Sequence, residues 1–335
     1  MTSNLANLPF IYLYLRLDGA DTPMYRSKER GQVHPNIFVP DEYRPAVDQF
    51  GAAIKTVLEK QEGVIEHEGV RCRLSRQKMA DEAEWVCARR IDRNIPELNK
   101  LGFAPHIANH MHGLGIRDGL ILIAGPSGHG KTTTATALLA DFLKTYGGTA
   151  VAIEAPSEYA IKGRHGDSGQ CFQVEVKEDE EWAPCLKLAL HWAPRYLYVG
   201  DIRTSKAAEQ ILRTATTGHT VIATLDAGAP EDSLMGLLFL AEQAMGPSAC
   251  SILAASMTAL VFQTMKEDGP FIRYLFTEPE APGDPIRSLI REGKVTMIST
   301  YIDRIAARLS NQSTGGGVLP PLSNLPPLPP LPKKS

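Results

Sequence analysis

The stretch "DGLILIAGPSGHGKTTTATALLADFLKTY", residues 118–146, confines the chain to few architectures. An apolar run from Leu120 to Ala124 enters a loop holding Gly125, Gly128 and Gly130, and a helical pattern starts at Lys131 without any spacer. A strand with no polar alternation is buried on both faces, and such strands belong to parallel sheets covered by helices. The pattern then repeats downstream. "TAVAIEA" and "YLYVG" read as apolar strands, "CLKLALHWA" and "SKAAEQILRTATTG" as helices, and "TVIATL" as a further strand. The first helix stops at Gly147-Gly148. This alternation predicts an α/β fold with a mostly parallel sheet.

The loop itself fits G-x-x-x-x-G-K-[ST] at Gly125, Gly130, Lys131 and Thr132, with strand before and helix after. Residues Gly125, Pro126, Ser127, Gly128, His129, Gly130, Lys131, Thr132 and Thr133 are therefore the candidate phosphate site. A loop of this kind turns successive backbone N–H groups inward onto phosphate oxygens, and the helix adds the positive end of its dipole. Lys131 supplies a full charge for β- and γ-phosphates, and the Thr132 hydroxyl is a ligand for Mg²⁺. The implied ligand is the phosphates of a nucleotide, with Mg²⁺. A flexible turn is the competing reading, and the flanking strand and helix disfavour it.

Such loops serve many chemistries, so a carboxylate is needed to narrow the choice. Glu154 closes the strand after the loop's helix, and Asp201 follows "YLYVG". Catalytic groups in open parallel sheets sit beyond the carboxyl ends of strands, which is where both acids fall. Their ordinary alternative is a solvated loop acid.

Ahead of this region, residues 1–95 read as a small α+β unit. The apolar run from Leu8 to Leu15 is an opening strand. It is too short to span a bilayer, and no basic stretch precedes it. Val47, Phe50, Ile54 and Leu58 mark an amphipathic helix. "GVIEHEGVRCRLSR" reads as strand, turn, strand around Glu68-Gly69, and "EWVCARRI" as another strand. Residues 96–117 read as a linker and 118–309 as the α/β domain, whose later part, "EDSLMGLLFLAEQAM" and "ACSILAASMTALVFQTM", reads as helical. "FIRYLF" is a strand and "PIRSLIREGK" a helix. Residues 310–335 are Gly/Pro-rich, a disordered tail whose prolines favour polyproline II.

Composition excludes several classes. Of the 335 residues, 35 are basic and 38 acidic, a net charge of −3 that argues against a surface committed to nucleic acid. The five cysteines form no CxxC pair, which disfavours a zinc ribbon and fits reduced, buried thiols. His106, His110 and His112 have spacing that suggests metal, but no cysteine or carboxylate lies close in sequence, so a helix surface is the better reading.

Several motifs in order resemble the motor ATPases of the type II/type IV secretion and type IV pilus superfamily. "GPSGHGKTTT" resembles their Walker A loop, and "AIEAPSEY" their acidic box, usually I-E-D-P. "APRYLYVGDIR" resembles their Walker B, and "ATTGHTVIATLDAG" their His box, usually T-G-H-x-x-x-x-T-L-H-T. "PIRSLIREGK" is similar to a segment of the pilus-retraction branch, and "VRCRLSR" and "CARRIDRNIPELNKLG" to the arginine-bearing strands and linker of the N-terminal domain. The resemblance covers about residues 65–300, with the retraction (PilT-type) and Dot-type branches nearest. The opening S-D-L-H motif of the retraction branch does not occur, which leaves room for a conjugation or type IVB secretion motor.

The resemblance implies a RecA-like P-loop domain preceded by a PAS-like domain. It implies a cytoplasmic homo-hexamer whose subunits bind ATP with Mg²⁺, peripheral to the inner membrane through platform or secretion-channel proteins, with no transmembrane segment. It implies that Glu154 orients or deprotonates the attacking water, and that Asp201 supports Mg²⁺ directly or through water. His219 senses the γ-phosphate, and Arg203 bridges subunits. Arg71 and Arg73 share one strand face, and with Arg89 or Arg90 they are candidate arginine fingers; ordinary surface charge is the alternative. Three departures bear on turnover. Ala155 replaces an acid, Asp201 stands where Glu is usual, and Asp226 occupies the second position of the His box. They favour, as a second reading, a nucleotide-binding assembly scaffold with little turnover. A P-loop kinase acting on a small molecule gives no reason for "GDIR" and "TGH" to follow one another.

Overall fold

A computed structural model describes residues 4–27, 35–57, 61–91, 94–155, 157–266, 269–277 and 284–303. The tail expected at 310–335 lies outside them, as does Leu58. The chain forms two compact units, 1–95 with 154–161 and 173–177, and 96–153 with 162–172 and 178–335.

The first unit is built on alternating strands: β1 (Phe10–Arg16), β2 (Met24–Ser27), β3 (Ile37–Phe38), then helix α1 (Arg44–Val57), then β4 (Glu62–His67), β5 (Val70–Lys78) and β6 (Glu84–Ile91). They form a sheet of order β3-β2-β1-β6-β5-β4, with antiparallel pairing throughout. The apolar stripe of α1 is buried at Val47, Phe50 and Ile54, in one core with Phe10, Leu13, Leu15, Cys72, Leu74 and Val86. Glu68 and Gly69 both take positive φ, 46° and 80°. That is the mirror-image turn that matches strand twist in a two-residue hairpin.

The second unit opens with α2 (Pro105–Gly113), so residues 96–117 carry a helix and pack within this unit. Tyr196 Oη donates to the Gly115 carbonyl (2.9 Å), and His112 Nδ1 lies 2.6 Å from an Asp141 carboxylate oxygen. There follow β7 (Gly119–Gly125), α3 (Lys131–Tyr146), β8 (Gly148–Glu154), β9 (Gly163–His165), β10 (Gly169–Glu175), α4 (Trp182–Leu190), β11 (Tyr196–Val199) and α5 (Ser205–Ala215). The run closes with β12 (Thr220–Asp226), α6 (Pro230–Met245), α7 (Ser248–Ser256), β13 (Met257–Lys266), β14 (Gly269–Phe276) and α8 (Pro285–Arg291). The sheet order is β14-β13-β7-β12-β11-β8-β10-β9. Pairs β13–β7, β7–β12, β12–β11 and β11–β8 are parallel; β13–β14 and β10–β9 are antiparallel. β7 and β11 are buried along their whole length. Each fully buried Leu, Ile or Val contributes about 1.5–3 kcal/mol relative to exposure.

One expectation is overturned. "ACSILAASMTALVFQTM" is not all helix: it breaks at Ser256 and continues as β13, beside the central strand. Thr258, Val261, Phe262 and Thr264 favour the pleated form, and the strand gains a neighbour on each side. Cys72 and Cys171 are buried, and all five cysteines are free. Among the described residues, no helix is long and apolar enough to cross a membrane.

Candidate functional site

β7 ends at Gly125 and α3 starts at Lys131, so five residues make the loop between them. Glycine is required at both ends. A Cβ on Gly125 (φ 153°) would lie 2.1 Å from the Gln263 carbonyl oxygen. Gly130 caps α3 in the left-handed conformation, φ 81°, and no side chain caps the helix. The first-turn amides of a helix have no partners within it, so this terminus suits an anion. Glycine at the tight approach, an uncapped helix start and a buried lysine together fit a phosphate group.

β13 braces the loop. Gln263, almost wholly buried, donates through Nε2 to the His129 carbonyl (2.7 Å) and accepts at Oε1 from the Thr134 hydroxyl (2.7 Å). The Met265 amide donates to His129 Nδ1 (2.9 Å), which makes that ring nitrogen an acceptor. Sequence reasoning missed Gln263. Its signal was a single amide side chain inside the apolar run "TALVFQTM".

Lys131 donates through Nζ to the Pro126 carbonyl (2.9 Å) and forms an ion pair with Asp226. The parallel register explains that partner: Asp226, the last residue of β12, sits opposite Gly125. Lys131 is 9% exposed and Asp226 61%, so the lysine is held inside while the carboxylate stays solvated. Thr132 and Thr133 follow on the first turn of α3, both half-buried.

His219 is not brought to this loop. It immediately precedes β12, its carbonyl accepts from the Gly119 amide (2.9 Å) at the start of β7, and Thr217 Oγ1 lies 3.2 Å from its Nδ1. A strand rises about 3.3 Å per residue, so His219 lies roughly 20 Å down the strand from the loop. Asp226 holds the loop end of β12 instead.

Asp201 follows β11, and its carboxylate accepts from Arg203 Nε (2.8 Å), in a half-exposed pair. Thr224 of β12 ties the turn, its hydroxyl donating to the Gly200 carbonyl and its own carbonyl accepting from the Ile202 amide (3.1 Å). Thr132 and Asp201 offer only hard oxygen donors, the set that suits Mg²⁺, which is held by one or two protein groups together with substrate phosphates.

Glu154, the last residue of β8, is 2% exposed. Burial pushes its carboxyl up to about 7; the Gln173 hydrogen bond (Nε2 to Oε2, 2.6 Å) lowers it, and the nearby charges of Glu158 and Glu175 raise it. Gln173 Nε2 also donates to the Tyr159 carbonyl (2.7 Å), which fixes the amide in place. Both neighbouring acids meet arginines of β5 and β6: Arg89 Nη1 to Glu158 (3.1 Å) and Arg71 Nη2 to Glu175 (3.9 Å).

The four candidate arginines divide. Arg73 lies directly opposite Arg89 in the β5–β6 register, so these two share a face with Arg71. Arg73 pairs with Glu62 (3.3 Å). Arg90 lies opposite Cys72 and is held within its own unit, donating to the carbonyls of Leu8 and Ala6 (both 2.9 Å) with its guanidinium 5.3 Å from the Phe10 ring centre. A cleft of about 280 Å³ is lined by Ile11, Arg73, Arg89, Arg90, Glu158 and Tyr159 among others.

The fold and the loop between β7 and α3 define a P-loop protein with a RecA-like sheet. The family pattern described as "Type II/IV secretion system protein" matches residues 61–270, and the chain belongs to that family. It is similar to "Type II secretion system protein E" of Klebsiella pneumoniae, 35% identical over 145 residues, covering 42% of this chain and 28% of that one. The chain thus spans under a third of that relative. Two solved structures share the fold at a TM-score of 0.67. The pilus retraction motor PilT with bound ADP is 23% identical, with 89% of this chain and 87% of that one covered. The Legionella pneumophila ATPase DotB is 17% identical, with 90% and 85% covered.

Proposed function

We propose that the chain is an ATP-hydrolysing motor of a secretion, conjugative-transfer or type IV pilus machine, assembled as a homo-hexamer at the cytoplasmic face of the inner membrane through partner proteins. One observation carries this reading. Adjacent parallel strands β7, β12, β11 and β8 present, at or just beyond their carboxyl ends, the phosphate loop, Asp226, Asp201 and Glu154 in turn. Residues 125–133 grip the phosphates through backbone amides and the Lys131 ammonium. Glu154 takes the proton of the attacking water; a carboxyl near 7 is matched to that task at neutral pH. Thr132 and Asp201 hold Mg²⁺, which when bound neutralises phosphate charge. Arg71, Arg73 and Arg89 supply positive charge to a nucleotide on a neighbouring subunit, and Arg203 contributes at subunit contacts.

The test is phosphate release by the purified chain beside Lys131→Ala and Glu154→Gln. Both variants should fall at least a hundredfold, and rates equal to the parent would sink the motor. The second reading, a nucleotide-binding scaffold with little turnover, draws support from Lys131 and Asp201 being engaged by Asp226 and Arg203. Tight ATP binding with negligible Mg-dependent turnover, raised by Asp201→Glu, would favour it.

A further inference from the structure

The sequence beyond the described residues carries a repeat that the motor reading leaves unused. Leu319, Leu322, Leu325, Leu328 and Leu331 recur at every third position, seven prolines fall within 320–332, and Lys333-Lys334 follow. Proline-rich chain favours polyproline II, which has three residues per turn, so a period of three puts all five leucines on one edge. An edge of that kind is recognised by exposed aromatic side chains.

One face of the second unit pairs two exposed aromatic rings. Phe172 of β10 and Trp192, two residues past α4, meet edge to face with ring centres 4.8 Å apart. Leu188, four residues before Trp192, is exposed in the last turn of α4. These large apolar groups are exposed, Leu188 at 65% and Trp192 at 59%. At the other end of α4 stand four exposed acids, Glu178, Asp179, Glu180 and Glu181.

We propose that residues 319–334 dock as a polyproline II segment on the Phe172–Leu188–Trp192 face of the same chain, with Lys333 and Lys334 against the acids at 178–181. Spacing supports the pairing. From Trp192 to Glu181 is about 16 Å at 1.5 Å per residue. From Leu328 to Lys333 is about 16 Å at 3.1 Å per residue. Charge fixes the direction, because the reversed segment would carry its lysines away from the acids. Reach is sufficient: the 25 residues from Asp303 to Leu328 extend up to about 80 Å, and a unit of this size has a radius of gyration of about 16 Å.

The test replaces Leu328 by p-benzoylphenylalanine in the full chain, mixes light and ¹⁵N-labelled chains until native mass spectrometry shows complete exchange, irradiates, and maps the products by mass spectrometry. Tail peptides joined to residues 182–195, within one isotopic label, are expected. Trp192→Ala with Leu188→Ser should cut that product at least fivefold at an unchanged melting temperature, while Leu188→Met should retain it. Lys333→Glu with Lys334→Glu should cut it about threefold at low salt, less at high salt. Mixed-label products would assign the face to a second copy's tail and overturn the proposal. So would no product on that peptide, which would point to a foreign proline-reading partner.

Discussion

At the residue scale, Glu154 and Asp226 make opposite demands on the site. Glu154 is buried, so its carboxyl is raised to about 7 and it is protonated in half the molecules at neutral pH. If it is the base of the proposed reaction it must be ionised, so turnover should rise with pH through about 7 and level off above it. A flat pH profile between 6 and 8 would remove it from that role. Stability runs the other way. A folded-state value above the unfolded one means that the folded protein holds the proton more tightly. The stabilising contribution is full below about 4.5 and is lost as pH rises through about 7. Glu154→Gln should therefore gain on the order of 2–3 kcal/mol at pH 8 and little at pH 5, read from urea midpoints. If Lys131 grips phosphate, Asp226 competes for its ammonium through the ion pair they form. The carboxylate is mostly solvated, so the pair is worth at most about 1 kcal/mol, and Asp226→Asn should tighten ADP binding two- to fivefold by calorimetry. Weaker binding would instead make Asp226 a ligand-side residue.

At the scale of elements, the phosphate loop was legible because backbone geometry dictates its residue types: no side chain fits at Gly125, and Gly130 must turn left-handed. The parallel strands were legible because burial on both faces leaves uninterrupted apolar runs. β13 was not. Ala, Leu and Met in "ILAASMTAL" favour helix by propensity, so the change to strand at Met257 shows only in the later "VFQT" and in the place beside β7. Losing β13 meant losing Gln263, the brace of the loop. The strand "TVIATL" already separates His219 from Asp226; that Asp226 is the one beside the loop follows from the register with β7. The raised carboxyl of Glu154 comes first from burial, with the charges of Glu158 and Glu175 adding to it, and no motif marks either cause. Gln263→Leu strips the His129 carbonyl and the Thr134 hydroxyl of a buried partner, a loss of about 1–3 kcal/mol. Nucleotide binding should weaken with it, because the loop loses its support. Parent-like affinity and midpoint would show that the loop holds its shape unaided.

At the scale of the molecule, the arginines of β5 and β6 decide whether the first unit takes part in catalysis. Arg71, Arg73 and Arg89 share a face, while Arg90 is held by its own unit, so the first three are the ones to test. Arg73 is the cleanest, since its partner Glu62 is exposed and the pair adds little to stability. If Arg73 serves a neighbour's nucleotide, each working site needs the Lys131 of one subunit and the Arg73 of another. Lys131→Ala and Arg73→Ala chains would each be slow alone. Mixed one to one in a ring with random placement, about a quarter of the junctions would join an intact lysine to an intact arginine, and the rate should recover to about that fraction of the parent's. Recovery should require subunit exchange and vanish if the two variants are first cross-linked into separate rings. No recovery on mixing, with exchange confirmed by native mass spectrometry, would place the arginine's action within its own chain and leave the ring without a shared site.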